Sequence, residues 1–116
     1  MEKCARFYMK RRSGMTVSAA ALTSGLIASG LNAYLVVPTA SDMKYVPGHF
    51  PRSLIRVAGQ HHLTDPASAV YVFDDAERCA FEFSKHGEGD MLKCVQARFQ
   101  CYPDELTRAY LFQYSL

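Results

Sequence analysis

The sequence predicts a single small α+β domain, residues 1–116, in which two main helices cover a mixed β-sheet. Three observations carry that reading. Apolar residues alternate with polar ones, or run unbroken, over short strand-length stretches. Two longer stretches place apolar residues at helical spacing between capping residues and glycines. With 116 residues, 49% of them hydrophobic, the chain can build one modest core and has no room for a second module.

The elements follow in order. In 5–11, Ala5, Phe7 and Met9 alternate with Arg6, Tyr8 and Lys10, the pattern of a half-buried strand. After the Ser13-Gly14 turn, Thr16 or Ser18 is expected to cap a helix running to about Ser29. Gly30 suits the left-handed position beyond its end. The run 15–37 is broken by Gly25, Gly30 and regularly spaced serines and threonines, so it is read as part of the fold and not as a membrane span. AYLVV (33–37) reads as a strand stopped by Pro38. The irregular stretch to Pro51 carries Tyr45, Val46 and Phe50, which call for burial.

RSLIRVA (52–58) is expected to be a strand with Arg52 and Arg56 on one face, followed by a polar turn holding His61 and His62. AVYVF (69–73) is apolar throughout, as in a strand covered on both sides. Asp74 with Glu77 resembles a capping box, and Ala76, Cys79, Ala80 and Phe83 share one helical face. The helix closes at Gly87 and Gly89. Val95, Ala97, Phe99 and Cys101 then alternate as a half-wet strand, and one helical turn after Pro103 leads into a final strand through Tyr110, Phe112 and Tyr114.

Composition narrows the function classes. A net charge of +2, concentrated in the first dozen residues, permits nucleic-acid binding without indicating it. Cys4, Cys79, Cys94 and Cys101 form no CxxC pair and no zinc spacing, so they are read as reduced thiols in a cytoplasmic protein, and no metal ligand is assigned. His61 and His62 are read as solvating their turn. No high-specificity catalytic motif is matched.

The succession AVYVFDDAERCAFEFSKHGEGDMLKCVQARF (69–99) resembles the central unit of small ADP-ribosyltransferase-fold proteins, including rifampin ADP-ribosyltransferases and RNA 2′-phosphotransferases. RFYMKRRSG with SGL (29–31) is similar to that family's opening, and YVPGHFPRS (45–53) to a stretch of the DarT-type toxins. The resemblance implies NAD as substrate, bound by Tyr8, Arg52 and Tyr71. It further implies a catalytic role for Tyr71 and for Glu105, the carboxylate of that type near the last strands. Met9 stands where the family has an NAD-contacting histidine, and Arg98 where it has a glutamate. The second reading is a small non-enzymatic interaction protein, a phage-type inhibitor or an accessory subunit. It would dock a macromolecular partner, a protein before a nucleic acid, through the basic first strand and aromatic tail.

Overall fold

The computed structural model describes residues 4–11, 13–58, 68–84 and 109–115. Five strands, β1 (Cys4–Met9), β2 (Ala33–Val37), β3 (Ile55–Val57), β4 (Val70–Phe73) and β5 (Ala109–Tyr114), join in one sheet with the order β1-β5-β4-β2-β3. Two α-helices, α1 (Met15–Ala28) and α2 (Ala76–Ser84), and 3₁₀ helices at Ala40–Tyr45 and Arg52–Leu54 complete the described chain. The small domain of mixed helix and strand content is as expected. The pairing sense is not: all four described pairings are parallel. The apolar runs 33–37 and 69–73 account for this, because a parallel sheet is covered on both faces and its strands lose the polar-out alternation.

Each strand sends alternate side chains to opposite sides. Leu35, Val37, Val72 and Phe112 pack with Met15, Ala19 and Ala20 of α1. Val36, Tyr71, Phe73 and Leu111 pack with Ala76, Cys79 and Phe83 of α2. The two helices therefore cover opposite faces, and the small buried residues Ala19, Ala20 and Thr23 let α1 approach closely. Thr23 hides its hydroxyl by donating to the Ala19 carbonyl at 2.8 Å.

Helix ends follow local chemistry, with two departures. Gly30, at φ 93°, closes α1 by donating to the Ile27 carbonyl, and Leu31 donates to the Leu26 carbonyl; these are the paired bonds of a Schellman motif. At the other end, neither Thr16 nor Ser18 caps the helix. The N-cap is Gly14 at φ 82°, and among the described residues no side chain caps the first turn. For α2 the cap shifts from Asp74 to Asp75, whose carboxylate accepts the Arg78 backbone N–H.

Strand 52–58 is shorter than expected, because Arg52–Leu54 coils into a 3₁₀ turn before β3. Arg52 and Arg56 consequently do not form a paired face. Arg52 donates to the Met43 and Val46 carbonyls, and Arg56 lies 4.4 Å over the Tyr34 ring. Val46 and Phe50 are buried as expected, but Tyr45 is 62% exposed. Phe7, expected inside, is 39% exposed and stacks on Phe112 at 4.9 Å between ring centres. The strand around 95–101 and the turn after Pro103 lie outside the described residues. Among the described residues no helix is long and apolar enough to cross a membrane.

Candidate functional site

A cleft of about 380 Å³ opens at the carboxyl ends of the parallel strands. Its position follows from topology. The chain leaving β2 turns onto the α1 face, where Val46 and Phe50 pack, whereas the chain leaving the adjacent β4 enters α2 on the opposite face. Neighbouring strands whose connections diverge leave a crevice between them, the usual ligand position in open parallel sheets. Gly14, Met15, Thr16 and Val17 form one wall, Pro38, Asp42 and Tyr45 a second, and Asp74, Asp75 and Arg78 a third, with Tyr114 from β5.

The α1 wall presents the start of a helix. The first N–H groups of a helix have no partner within it, and they carry the positive end of its dipole. Among the described residues no side chain caps them. Gly14 makes the left-handed turn by which the chain after β1 enters the helix. The Thr16 hydroxyl points instead across the cleft and donates to Asp74 Oδ2 at 2.8 Å.

Asp74 terminates the fully buried strand β4 and is itself only 5% exposed. Burial pushes its carboxyl up to about 6, against the pull of the Thr16 hydrogen bond, and the charges of Asp75 and Asp42 push the same way. Asp75 stands beside it at φ 56°, a backbone conformation that non-glycine residues hold only when the surroundings impose it. Burial raises its pKa as well, opposed by the Arg78 backbone N–H.

The β2 wall is closed upon itself. Asp42 accepts the Thr39 N–H at 3.1 Å and the Thr39 hydroxyl at 2.5 Å, which secures the start of the 3₁₀ helix. Both its oxygens also accept from Arg78, each at 3.1 Å, a two-pronged pair across the mouth of the cleft. Partial burial works to raise the Asp42 pKa, but the hydrogen bonds from Thr39 and Arg78 outweigh it and hold the carboxyl below its ordinary value.

The residues singled out by the NAD-type resemblance lie apart. Tyr71 is fully buried under α2, with its ring 6.0 Å from Tyr34 and 6.1 Å from Phe73. Tyr8 is 65% exposed on β1, at one edge of the described sheet. Arg52 precedes β3 at the other edge, four strand spacings away, or about 19 Å. Met9 packs against the α1-side core. Glu105, Arg98, His61 and His62 lie outside the described residues. Cys79 is a fully buried thiol whose pKa burial raises, in keeping with a packing role.

No protein-family model, curated protein or solved structure matches the chain. Its function is therefore read from the geometry of the cleft. Sequence reasoning took Gly14 for part of a turn and Thr16 and Asp74 for helix caps, and gave Asp42 no role. A signal was present: a strand, a basic loop and Gly14-Met15-Thr16 opening a helix, with a second apolar strand ending in Asp74-Asp75.

Proposed function

We propose that the cleft binds a nucleoside polyphosphate together with Mg²⁺ and turns over its terminal phosphate. The observation that carries this reading is the Thr16–Asp74 hydrogen bond. A hydroxyl in the first turn of the helix after one strand, facing an aspartate at the end of another, is the arrangement by which P-loop nucleotide hydrolases hold Mg²⁺. This is an analogy of site chemistry, and it stands on the donor set. A hydroxyl and a carboxylate are hard oxygen donors suited to Mg²⁺, which is ordinarily held by one or two carboxylates plus the phosphates of its substrate. Among the described residues no three His, Cys, Asp or Glu side chains converge as a self-sufficient metal cage, so a cation here would bring phosphate ligands with it.

Each wall then has a task. The uncapped N–H groups of α1 receive the phosphates, and the turn at Gly14 lets them approach the backbone. Thr16 and Asp74 would hold the cation, which would supply charge neutralisation for the phosphate oxygens. Asp75, its pKa raised by burial, takes a proton from the attacking water. The reduced, buried thiol of Cys79 supports a cytoplasmic setting.

The test is calorimetric binding of a non-hydrolysable nucleoside triphosphate, with Mg²⁺ and with EDTA, followed by phosphate release from the natural triphosphate. Mg²⁺-dependent binding, with turnover lost in Asp75→Asn but binding kept, is the expected result. Binding of neither form would remove the proposal. The nicotinamide-dinucleotide reading is the competing proposal and is tested in the same cell: NAD binding that is indifferent to Mg²⁺ and sensitive to Tyr8→Ala would favour it. Capture of a protein partner lost on charge reversal of Arg6, Lys10 and Arg11 would favour the docking reading.

A further inference from the structure

The cleft proposed above for a polyphosphate lacks a lysine where the loop meets the helix. Met15 occupies that first helical position, and it is 4% exposed within the α1-side core. Some other cation must meet the phosphate charge. Arg78 lines the cleft, yet both prongs of its guanidinium are committed to Asp42. We propose that Arg11 supplies the phosphate-binding cation and that the Tyr114 ring is the platform that holds it ready.

The geometry supports this residue in particular. Arg11 lies in the loop between β1 and α1, three residues before the left-handed Gly14. Its guanidinium carbon stands 4.5 Å from the centre of the Tyr114 ring, and Tyr114 lines the cleft at the end of β5. From there its charge is within electrostatic range of the Asp75 carboxyl. Arg11 is therefore exposed on one face, supported on the other, and within electrostatic range of the third wall.

Stacking on a ring suits this task. A flat guanidinium keeps its edge N–H groups directed outward while its face rests on the ring. Those edge donors can grip two oxygens of a phosphate together, which a lysine ammonium does as a point charge only. The ring also limits the rotamers that would otherwise be lost on binding. The ligand class follows: an anion with at least two adjacent phosphoryl groups, one seated on the α1 N-terminus and the next within reach of Arg11.

This inference rests on the polyphosphate reading, and its test separates the two. Inorganic tripolyphosphate with Mg²⁺ is titrated into the full chain and into Arg11→Ala, Arg11→Lys, Tyr114→Phe and Tyr114→Leu, each checked for an unchanged melting curve without ligand. Arg11→Ala should weaken binding about 10- to 100-fold, the usual loss of a charge-assisted contact, and should flatten its salt dependence. Arg11→Lys should recover only part of the affinity. Tyr114→Phe should bind as wild type, and Tyr114→Leu should not, because the ring and not the hydroxyl supports Arg11. If the wild type ignores tripolyphosphate, the polyphosphate reading falls and this inference with it. If the wild type binds and Arg11→Ala binds equally well, the role of Arg11 alone is overturned.

Discussion

The two acidic walls of the cleft solve the same problem in opposite ways. On the β2 side, Asp42 is answered completely: Thr39 donates twice, Arg78 grips both oxygens, and the carboxyl is held below its ordinary pKa. On the β4 side, Asp74 is more deeply placed and answered by one hydroxyl, and its pKa rises to about 6. An aspartate satisfied by its neighbours is holding the fold together. One that burial has made costly, opposite an uncapped helix start, has been left for something else to satisfy. Under the proposed function, that contrast separates a structural carboxylate from a functional one within a single crevice.

The contrast breaks most visibly at Asp74 itself. Asp74→Asn should lower the affinity for Mg²⁺-triphosphate by at least about 100-fold, since it removes the only carboxylate assigned to the cation. The same change should stabilise the ligand-free protein at neutral pH. The folded state of the wild type holds a proton on Asp74 up to about 6, whereas the unfolded chain releases it near 3.8. Wild-type stability from this group is therefore full below 3.8 and is lost as pH rises through 6, by about 3 kcal/mol at most. Melting temperatures should favour Asp74→Asn at neutral pH and converge with wild type in acid.

Thr16→Ala, read by the same titration, should act mainly on Mg²⁺-dependent affinity, by about tenfold, with a smaller loss of about 1 kcal/mol in stability at neutral pH because the buried Asp74 carboxyl loses its one hydroxyl partner. Asp42→Ala should do the reverse. It strips the 3₁₀ helix of its reciprocal cap and should cost about 1 to 2 kcal/mol in urea unfolding. The half-exposed Arg78 adds little to that loss. The smallest effect is expected at Tyr8→Ala, which should leave both stability and triphosphate binding within error, since its ring is mostly in solvent.

Local signals in the sequence carried much of the fold. The unbroken apolar run 69–73 is β4, the alternation at the tail is β5, and Gly30 ends α1 with the bonds its position implies. What escaped was non-local. Parallel pairing is decided by which strands meet across helical connections, and the alternation in 5–11 carries no record that β1 lies at the edge of the described sheet. The site was hidden for the same reason. Asp74 and Glu77 look like a cap because the spacing is local, whereas the partner Asp74 takes, Thr16, is 58 residues away. Under the proposed function, Met15 stands where a phosphate loop carries its lysine, the residue that makes such a loop conspicuous in sequence.

The central claim is that the Thr16–Asp74 pair is a cation site waiting on a phosphate ligand. Calorimetric titration of a non-hydrolysable nucleoside triphosphate into the wild-type chain, at neutral pH in Mg²⁺ and then in EDTA, tests it most directly. Saturable binding in Mg²⁺ that disappears in EDTA is the expected result. Identical heats in the two buffers would contradict it.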